Sequence, residues 1–532
     1  MSKVWLDHYP DHIKKEIEIP NKSLPQMLKV SIANYGDNVA LHFYGEEITY
    51  NKLGELTDSF TAALQKAGGQ KGDRVAIMLP NCPQFVVSFY GSLQAGAIVT
   101  QINPMLVGKE LQYILTNAGA ETIVIHEPLL PVLDQIIGDT FIKNVIKVNL
   151  EGRDTDEDIA IGFNRFLESG GDLQPVRINA NDDVAVLQYT GGTTGRSKGA
   201  MLTHRNLLAN VLQAAEFFGD ALEFGTDRFL TVIPLFHVYG MSNGMNLSIY
   251  TGGMNILLPQ FDRKEALNVI TDLRPTVFPG VPTMYINLIS QPDLADYSLD
   301  SIRACISGSA PMPKEIMRTF EEKTSATVLE GYGLSETSPS THGNPYFSRR
   351  KPGSVGIGLP STDYKIVDLV NGEKEMAPGE SGEIIIKGPQ VMKGYWNMPE
   401  ETAHALRDGW LYTGDIAYMD EDGYLYIVDR KKDLIIASGY NIYPRDGEEI
   451  LYEHPAVQEA VVVGVPDPYR GETVKGVIVS NAEQQCTEED LIDYCRENMA
   501  AYKVPRIIEF RKELPKTNVG KILRRKVREE AR

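Results

Sequence analysis

The chain has 532 residues, 42% hydrophobic and 23% charged, with a formal net charge of −19. That length exceeds what one core serves, so at least two domains are expected. The composition is that of a soluble globular protein, and the acidic balance argues against a nucleic-acid partner.

Residues 1–20 are polar and charged and lack the apolar core of a secretory signal, so none is expected. Residues 24–64 read as an amphipathic helix, a hairpin (40–43 with 48–50) and a second helix. A strand over 74–79, a helix over 83–96, a strand over 97–101, a helix around 111–115 and a strand over 120–125 follow. The apolar stretch 85–102 is broken by Ser88, Gly91, Ser92, Gln94, Gly96 and Gln101. It reads as a buried helix running into a strand, with no membrane span. Further strands are expected over 183–189, 227–232, 255–258, 276–280 and 304–308. Such alternation predicts parallel sheets covered on both faces. Several of these strands end in small or polar residues, and ligands in open α/β sheets sit beyond the carboxyl ends of strands.

Between the strand at 183–189 and an expected helix opening at 202–208 lies Thr190-Gly191-Gly192-Thr193-Thr194-Gly195-Arg196-Ser197-Lys198-Gly199. Glycines let backbone N–H groups turn inward and approach a ligand. Hydroxyls add donors, and Arg196 and Lys198 add charge, so the loop suits a phosphate chain. Its spacing is not that of the common P-loop, because Lys198 is followed by Gly199.

From about residue 354 the texture changes to short β runs (364–367, 382–387, 424–428) joined by Gly and Asp turns, ending in the charged run 429–433. A helix over 448–454, a strand over 457–465 and a helix over 488–499 then read as a separate α+β domain of roughly one hundred residues. The expected class is α/β: a large N-terminal domain of parallel and mixed sheets covered by helices, with a small β unit, then a small α+β C-terminal domain. The boundary is placed between 1–430 and 431–532. Cys82, Cys305, Cys486 and Cys495 show neither metal-ligand spacing nor a disulfide framework, which fits a reducing cytoplasm.

Five segments in order carry more than any one alone. They are residues 189–199, Gly331-Tyr332-Gly333-Leu334-Ser335-Glu336-Thr337, Tyr412-Thr413-Gly414-Asp415, Asp429-Arg430-Lys431-Lys432-Asp433 and residues 515–522 with Lys521. Together they resemble the adenylate-forming superfamily over nearly the whole chain. The resemblance implies a two-step reaction with ATP, Mg2+ and coenzyme A, in which a carboxylate forms an acyl-adenylate and a thiol then takes the acyl group. Thr190, Gly191, Gly192, Thr193, Thr194, Gly195 and Lys198 would hold the β- and γ-phosphates. Glu336, with Thr190, would hold magnesium, whose hard character suits carboxylate and phosphate oxygens. Tyr332 would stack on adenine, with Gly308, Ser309 and Ala310 opposite and Glu330, Gly331 and Gly333 around it. Asp415 would accept from both ribose hydroxyls, with Arg430 beside it. Lys521 would reach the carboxylate and the α-phosphate from a mobile small domain as a point charge. Lys432 would be the hinge, and Gly439, Tyr440 and Asn441 would line the pantetheine path. The neighbouring Lys516, Arg524, Arg525, Lys526 and Arg528 read as solvated cations of a basic tail.

Residues 236–241 and 278–285 resemble pocket segments of fatty acyl-CoA synthetases. His237 would sit beside the acyl carboxylate. Val238, Met241, Pro279, Gly280, Val281, Gly308, Gly333 and Leu334 would form the acyl pocket. These segments offer no acidic residue to pair with an amino-acid ammonium. The alternatives are an aryl-CoA ligase of the coumarate type, an acyl-AMP ligase or luciferase-like monooxygenase, and a non-catalytic nucleotide binder. The expected partners are a small carboxylic acid, ATP and CoA, with room for peripheral membrane contact, in a monomer or homodimer. One departure stands out. Gly447 occupies a position where family members usually carry valine, isoleucine or leucine. It shares a helix face with Ile450 and Leu451. The expectation is a loosened small domain that Gly447→Val would firm, unless a neighbouring side chain already fills the gap.

Overall fold

The structure is a computed structural model. It describes residues 3–106, 108–151, 159–190, 197–310, 312–324, 326–431, 433–437, 440–467, 469–481, 486–517 and 522–531, with the side chains of 440 and 441 also outside the description.

Among the described residues two sheets dominate. One holds nine strands, with Arg228–Thr231, Met254–Leu257, Val277–Gly280, Ala304–Ser307 and Thr327–Gly333 running parallel through its middle. The expected hairpin closes its edge as Val39–Phe43 and Glu46–Thr49. The other holds eight strands, with Arg74–Met78 between Ile98–Gln101 and Thr122–His126, all parallel. The helices Pro83–Gln94 and His204–Phe218 bury most of their residues in one core that joins residues of both sheets. Strands covered on both faces are buried at every position, and the burial of Ile98–Gln101 and Val277–Gly280 is unbroken.

One element differs from expectation. Residues 202 and 203 do not open a helix. They end the strand Lys198–Thr203, which folds back antiparallel on Val184–Thr190 and sets Thr190 opposite Lys198. The helix starts at His204, because the Thr203 side chain accepts from Asn206 N while the Asn206 side chain caps Thr203 N. Pairing along a whole neighbouring strand overrides the weak local preference of Lys-Gly-Ala-Met-Leu-Thr.

The small β unit is Asp363–Val367, Gly382–Lys387, Leu406–Arg407, Trp410–Met419 and Leu425–Arg430, with its own apolar core. Beyond it, Ile435–Ala437, Tyr440–Ile442, Val457–Asp467, Gly471–Ser480 and Ile507–Arg511 form a further sheet covered by the helices Pro444–Glu453 and Glu488–Asn498. This is the small α+β domain. Gly447 lies buried in the first of those helices, and a Cβ there would stand 3.2 Å from Val462 Cγ2. The space a larger residue would fill is already taken, so the expected gap is absent. The tail cations also depart from expectation. Arg524 and Arg528 are not simply solvated, since both are engaged by carboxylates around residues 429–448.

Candidate functional site

The two large sheets, the β unit and the small domain border one cleft of about 2240 Å³. Of the residues singled out above, Thr190, Lys198, His237, Val238, Gly308, Ser309, Ala310, Glu330, Gly331, Tyr332, Gly333, Leu334, Glu336, Asp415 and Arg430 line it. Gly191, Gly192, Thr193, Thr194, Gly195, Lys432, Gly439 and Lys521 lie outside the described residues, as do the side chains of Tyr440 and Asn441.

One charged group of the cleft is assembled by strand register. Asp415 on Trp410–Met419 pairs with Arg430 on Leu425–Arg430, and the Arg430 guanidinium stands 3.2 Å from the Asp415 carboxylate. The Tyr332 hydroxyl donates to the other Asp415 oxygen at 2.6 Å. Burial, and the Asp415 charge beside it, push the Tyr332 phenol well above its ordinary pKa, so it stays a donor. Asp415 also raises the Arg430 pKa. Gly414 adopts φ +72, a left-handed turn that brings its N–H to the Glu383 carboxylate at 3.0 Å and aims the next residue inward. Gly333 is required for a different reason. A Cβ there would fall 2.1 Å from the Pro339 carbonyl oxygen, so only glycine lets the two chain segments pass.

Thr190 and Lys198 end and begin paired strands, so both reach the cleft side by side. The Lys198 ammonium is held by Glu401 and stands 5.3 Å from the Tyr395 ring centre. The Tyr395 hydroxyl donates to Glu336 Oε1 at 2.8 Å. Sequence reasoning missed Tyr395 and Glu401. They come from Gly394–Tyr395 and the helix Pro399–Ala405, remote in the chain from both partners and part of no motif. No group of three or more His, Cys, Asp or Glu suited to a metal occurs among the described residues. One carboxylate and one hydroxyl fit a magnesium ion that completes its shell from phosphate oxygens and water.

Glu330 is buried. It accepts from Gly353 N at 2.9 Å, and burial pushes its pKa up to about 7. Ser309, also on the cleft wall, adopts φ +66.

His237 follows a main-chain segment clamped from the other sheet. Gln101 Nε2 donates to the Leu235 carbonyl and Gln188 Nε2 to the Phe236 carbonyl, both at 3.1 Å. The two glutamines are register partners on adjacent strands. A flipped amide would set two oxygens face to face, which fixes this orientation. His237 Nδ1 accepts from Tyr239 N at 3.3 Å. The Tyr239 ring is anchored by its hydroxyl to the Ile306 carbonyl at 2.7 Å and shares the space beside Gly308. Met241, Pro279, Gly280 and Val281 do not line the cleft. They are buried behind its wall, while Tyr239, Pro282, Thr283 and Ile286 face it.

Residues 28–396 match the AMP-binding enzyme family, and residues 447–521 match the AMP-binding enzyme C-terminal domain. The chain belongs to the AMP-binding enzyme family. It is 50% identical to a long-chain-fatty-acid--CoA ligase of Bacillus subtilis (strain 168), over 99% of this chain and 98% of that one. It is 40% identical to a protein of the same name from Escherichia coli O6:H1, over 100% and 99%. Among solved structures, the anthranilate CoA ligase AuaEII in complex with anthranoyl-AMP superposes with a TM-score of 0.90 at 28% identity, covering 97% of this chain and 98% of that one. ATP, magnesium and coenzyme A are the cofactor and co-substrates typical of the ligases of this family. No helix among the described residues is long and apolar enough to cross a membrane.

Proposed function

We propose that this chain activates a long-chain fatty acid with ATP and transfers the acyl group to coenzyme A. The observation that carries the reading is full-length similarity to the two ligases above, together with a cleft whose walls carry the residues such a reaction needs.

A carboxylate oxygen of the fatty acid attacks the α-phosphorus of ATP. The bond from that phosphorus to the bridging oxygen breaks, and pyrophosphate leaves. The coenzyme A sulfur then attacks the acyl carbonyl, AMP leaves, and the thiol proton is lost. The first step needs in-line positioning and neutralised charge more than covalent help. Lys198 and the residue 190–195 loop supply cation and donors for the triphosphate. Magnesium at Glu336 and Thr190 would offset charge on the phosphates. Tyr332, Gly308, Ser309 and Ala310 border the adenine, with Glu330, Gly331 and Gly333 around them. Asp415 and Arg430 hold the ribose. His237, Val238, Gly308, Gly333 and Leu334 border the acyl carboxylate and the start of its chain. Lys521 serves the first step. Lys432 is the hinge about which the small domain, 431–532, turns against 1–430. Gly439, Tyr440 and Asn441 then border the pantetheine arm. The free cysteines fit a cytoplasmic setting, and a monomer or homodimer suffices because one chain borders the whole cleft.

CoA-dependent AMP release across octanoate, palmitate, coumarate and phenylalanine tests this. Palmitate is expected to be the fastest. A coumarate preference, or AMP release unaffected by CoA, would replace the reading with one of the alternatives.

A further inference from the structure

Asp429 is the penultimate residue of the β unit's last strand and is buried, its side chain 2% exposed. Its oxygens accept from Arg430 N at 2.7 Å and from Arg445 N at 3.2 Å. Its one charged side-chain partner among the described residues is Arg524, at 3.0 Å, from the C-terminal helix Arg524–Glu530. Arg524 Nη2 donates to both oxygens of Glu448 at 2.7 and 2.8 Å, and its Nη1 stands 3.6 Å from Asp433, which Arg528 also meets at 3.3 Å. Arg445 adds a second tie by donating to the Ile427 carbonyl.

Position 432 divides these contacts. Glu448, Asp433, Arg524 and Arg528 all lie beyond it and can turn together. Asp429 and Ile427 lie before it. A rotation about 432 therefore keeps the Arg524–Glu448 pair and breaks Arg524–Asp429, Arg445–Asp429 and Arg445–Ile427. The rotation would strip a buried carboxylate of its guanidinium, and such separation is costly. We infer that Asp429 is a positioning residue: with Arg524 it latches the small domain in the orientation described here, which sets Lys516, Thr517 and Ile522 against the cleft and so serves the first half-reaction, and its release sets the balance between the two half-reactions. This rests on the reading above that the small domain takes two orientations. It adds which contacts hold one of them.

The test compares two rates in the full chain: pyrophosphate release in a single turnover from ATP and palmitate, and palmitoyl-CoA formation from supplied palmitoyl-adenylate and CoA. Asp429→Asn keeps the shape and removes the charge. It should slow the first about tenfold or more while leaving the second unchanged or faster. Asp429→Glu should recover part of the ratio. Glu448→Gln, whose loss falls on one side of position 432, should not shift it selectively. If Asp429→Asn does not fold, Arg524→Gln, which takes the guanidinium away from Asp429, reads the same ratio. Equal losses in both rates, or no change in either, would overturn the latch. Absence of both activities in the unmodified chain would instead sink the proposed function.

Discussion

Gly447 gives the sharpest test of packing. In the helix Pro444–Glu453 it faces Val462, and a Cβ would stand 3.2 Å from one Val462 methyl and 3.8 Å from the other. Its backbone lies outside the left-handed region, so alanine fits without strain. Gly447→Ala adds one buried carbon, about 0.8 kcal/mol, and up to about 1 kcal/mol of helix propensity, less near the helix start. Against this, Val462 must yield by a few tenths of an ångström. The net expectation is a gain of about 0.5–1 kcal/mol, the range of compatible Gly→Ala changes. Gly447→Val places two further carbons toward a residue that is itself fully buried. Overpacking of that kind costs about 1–3 kcal/mol, and a β-branched residue recovers less propensity. Valine should therefore lower small-domain stability by about 1–2 kcal/mol, the reverse of what the sequence alone suggests. Amide exchange between residues 448 and 465 reads this directly. Alanine should slow exchange several-fold and valine should speed it about five- to thirtyfold, since 1.4 kcal/mol is a factor of ten. Exchange slower in the valine variant than in the alanine one would refute the reasoning.

Three further predictions concern the cleft. Lys198→Ala should raise the KM for ATP or lower turnover without changing the order of preferred acids; a changed acyl preference with normal ATP kinetics would place the loop's work elsewhere. Glu401→Gln releases Lys198 from a partly exposed ion pair worth at most about 1 kcal/mol, so the KM for ATP should fall up to about fivefold, and a rise would show that Glu401 aids binding. Glu330 has its folded pKa raised to about 7 by burial, so the folded state holds more protons than the unfolded one between about pH 4.5 and 7 and stability declines as pH rises through that window. Glu330→Gln should flatten that slope in urea unfolding measured from pH 5 to 7.5; an unchanged slope would mean the carboxyl ionises normally.

Much of this architecture is legible before any coordinates. Strands buried on both faces announce themselves as apolar runs, which is why 74–79, 277–280 and 304–307 fall where expected. Lys198–Thr203 does not, because its strand state comes from pairing with Val184–Thr190 and not from its own residues. Asp415, Arg430 and Tyr332 sit in recognisable motifs, and the structure brings them within hydrogen-bond reach. Tyr395, Glu401, Gln101 and Gln188 carry no local signature. Their meaning arises only when remote segments meet. Arg524 shows the opposite failure: among five tail cations it looks interchangeable, yet its guanidinium is bound on two sides, by the buried Asp429 and the partly buried Glu448. A count of charges cannot show which one the fold encloses.

The most direct measurement follows oxygen. Palmitate labelled with 18O in both carboxylate oxygens is given ATP, magnesium and CoA, and the AMP, pyrophosphate and palmitoyl-CoA are analysed by mass. Attack of the carboxylate on the α-phosphorus predicts one labelled oxygen in AMP, one retained in the thioester, and none in pyrophosphate. Label in pyrophosphate or inorganic phosphate, or ADP in place of AMP, would contradict the account.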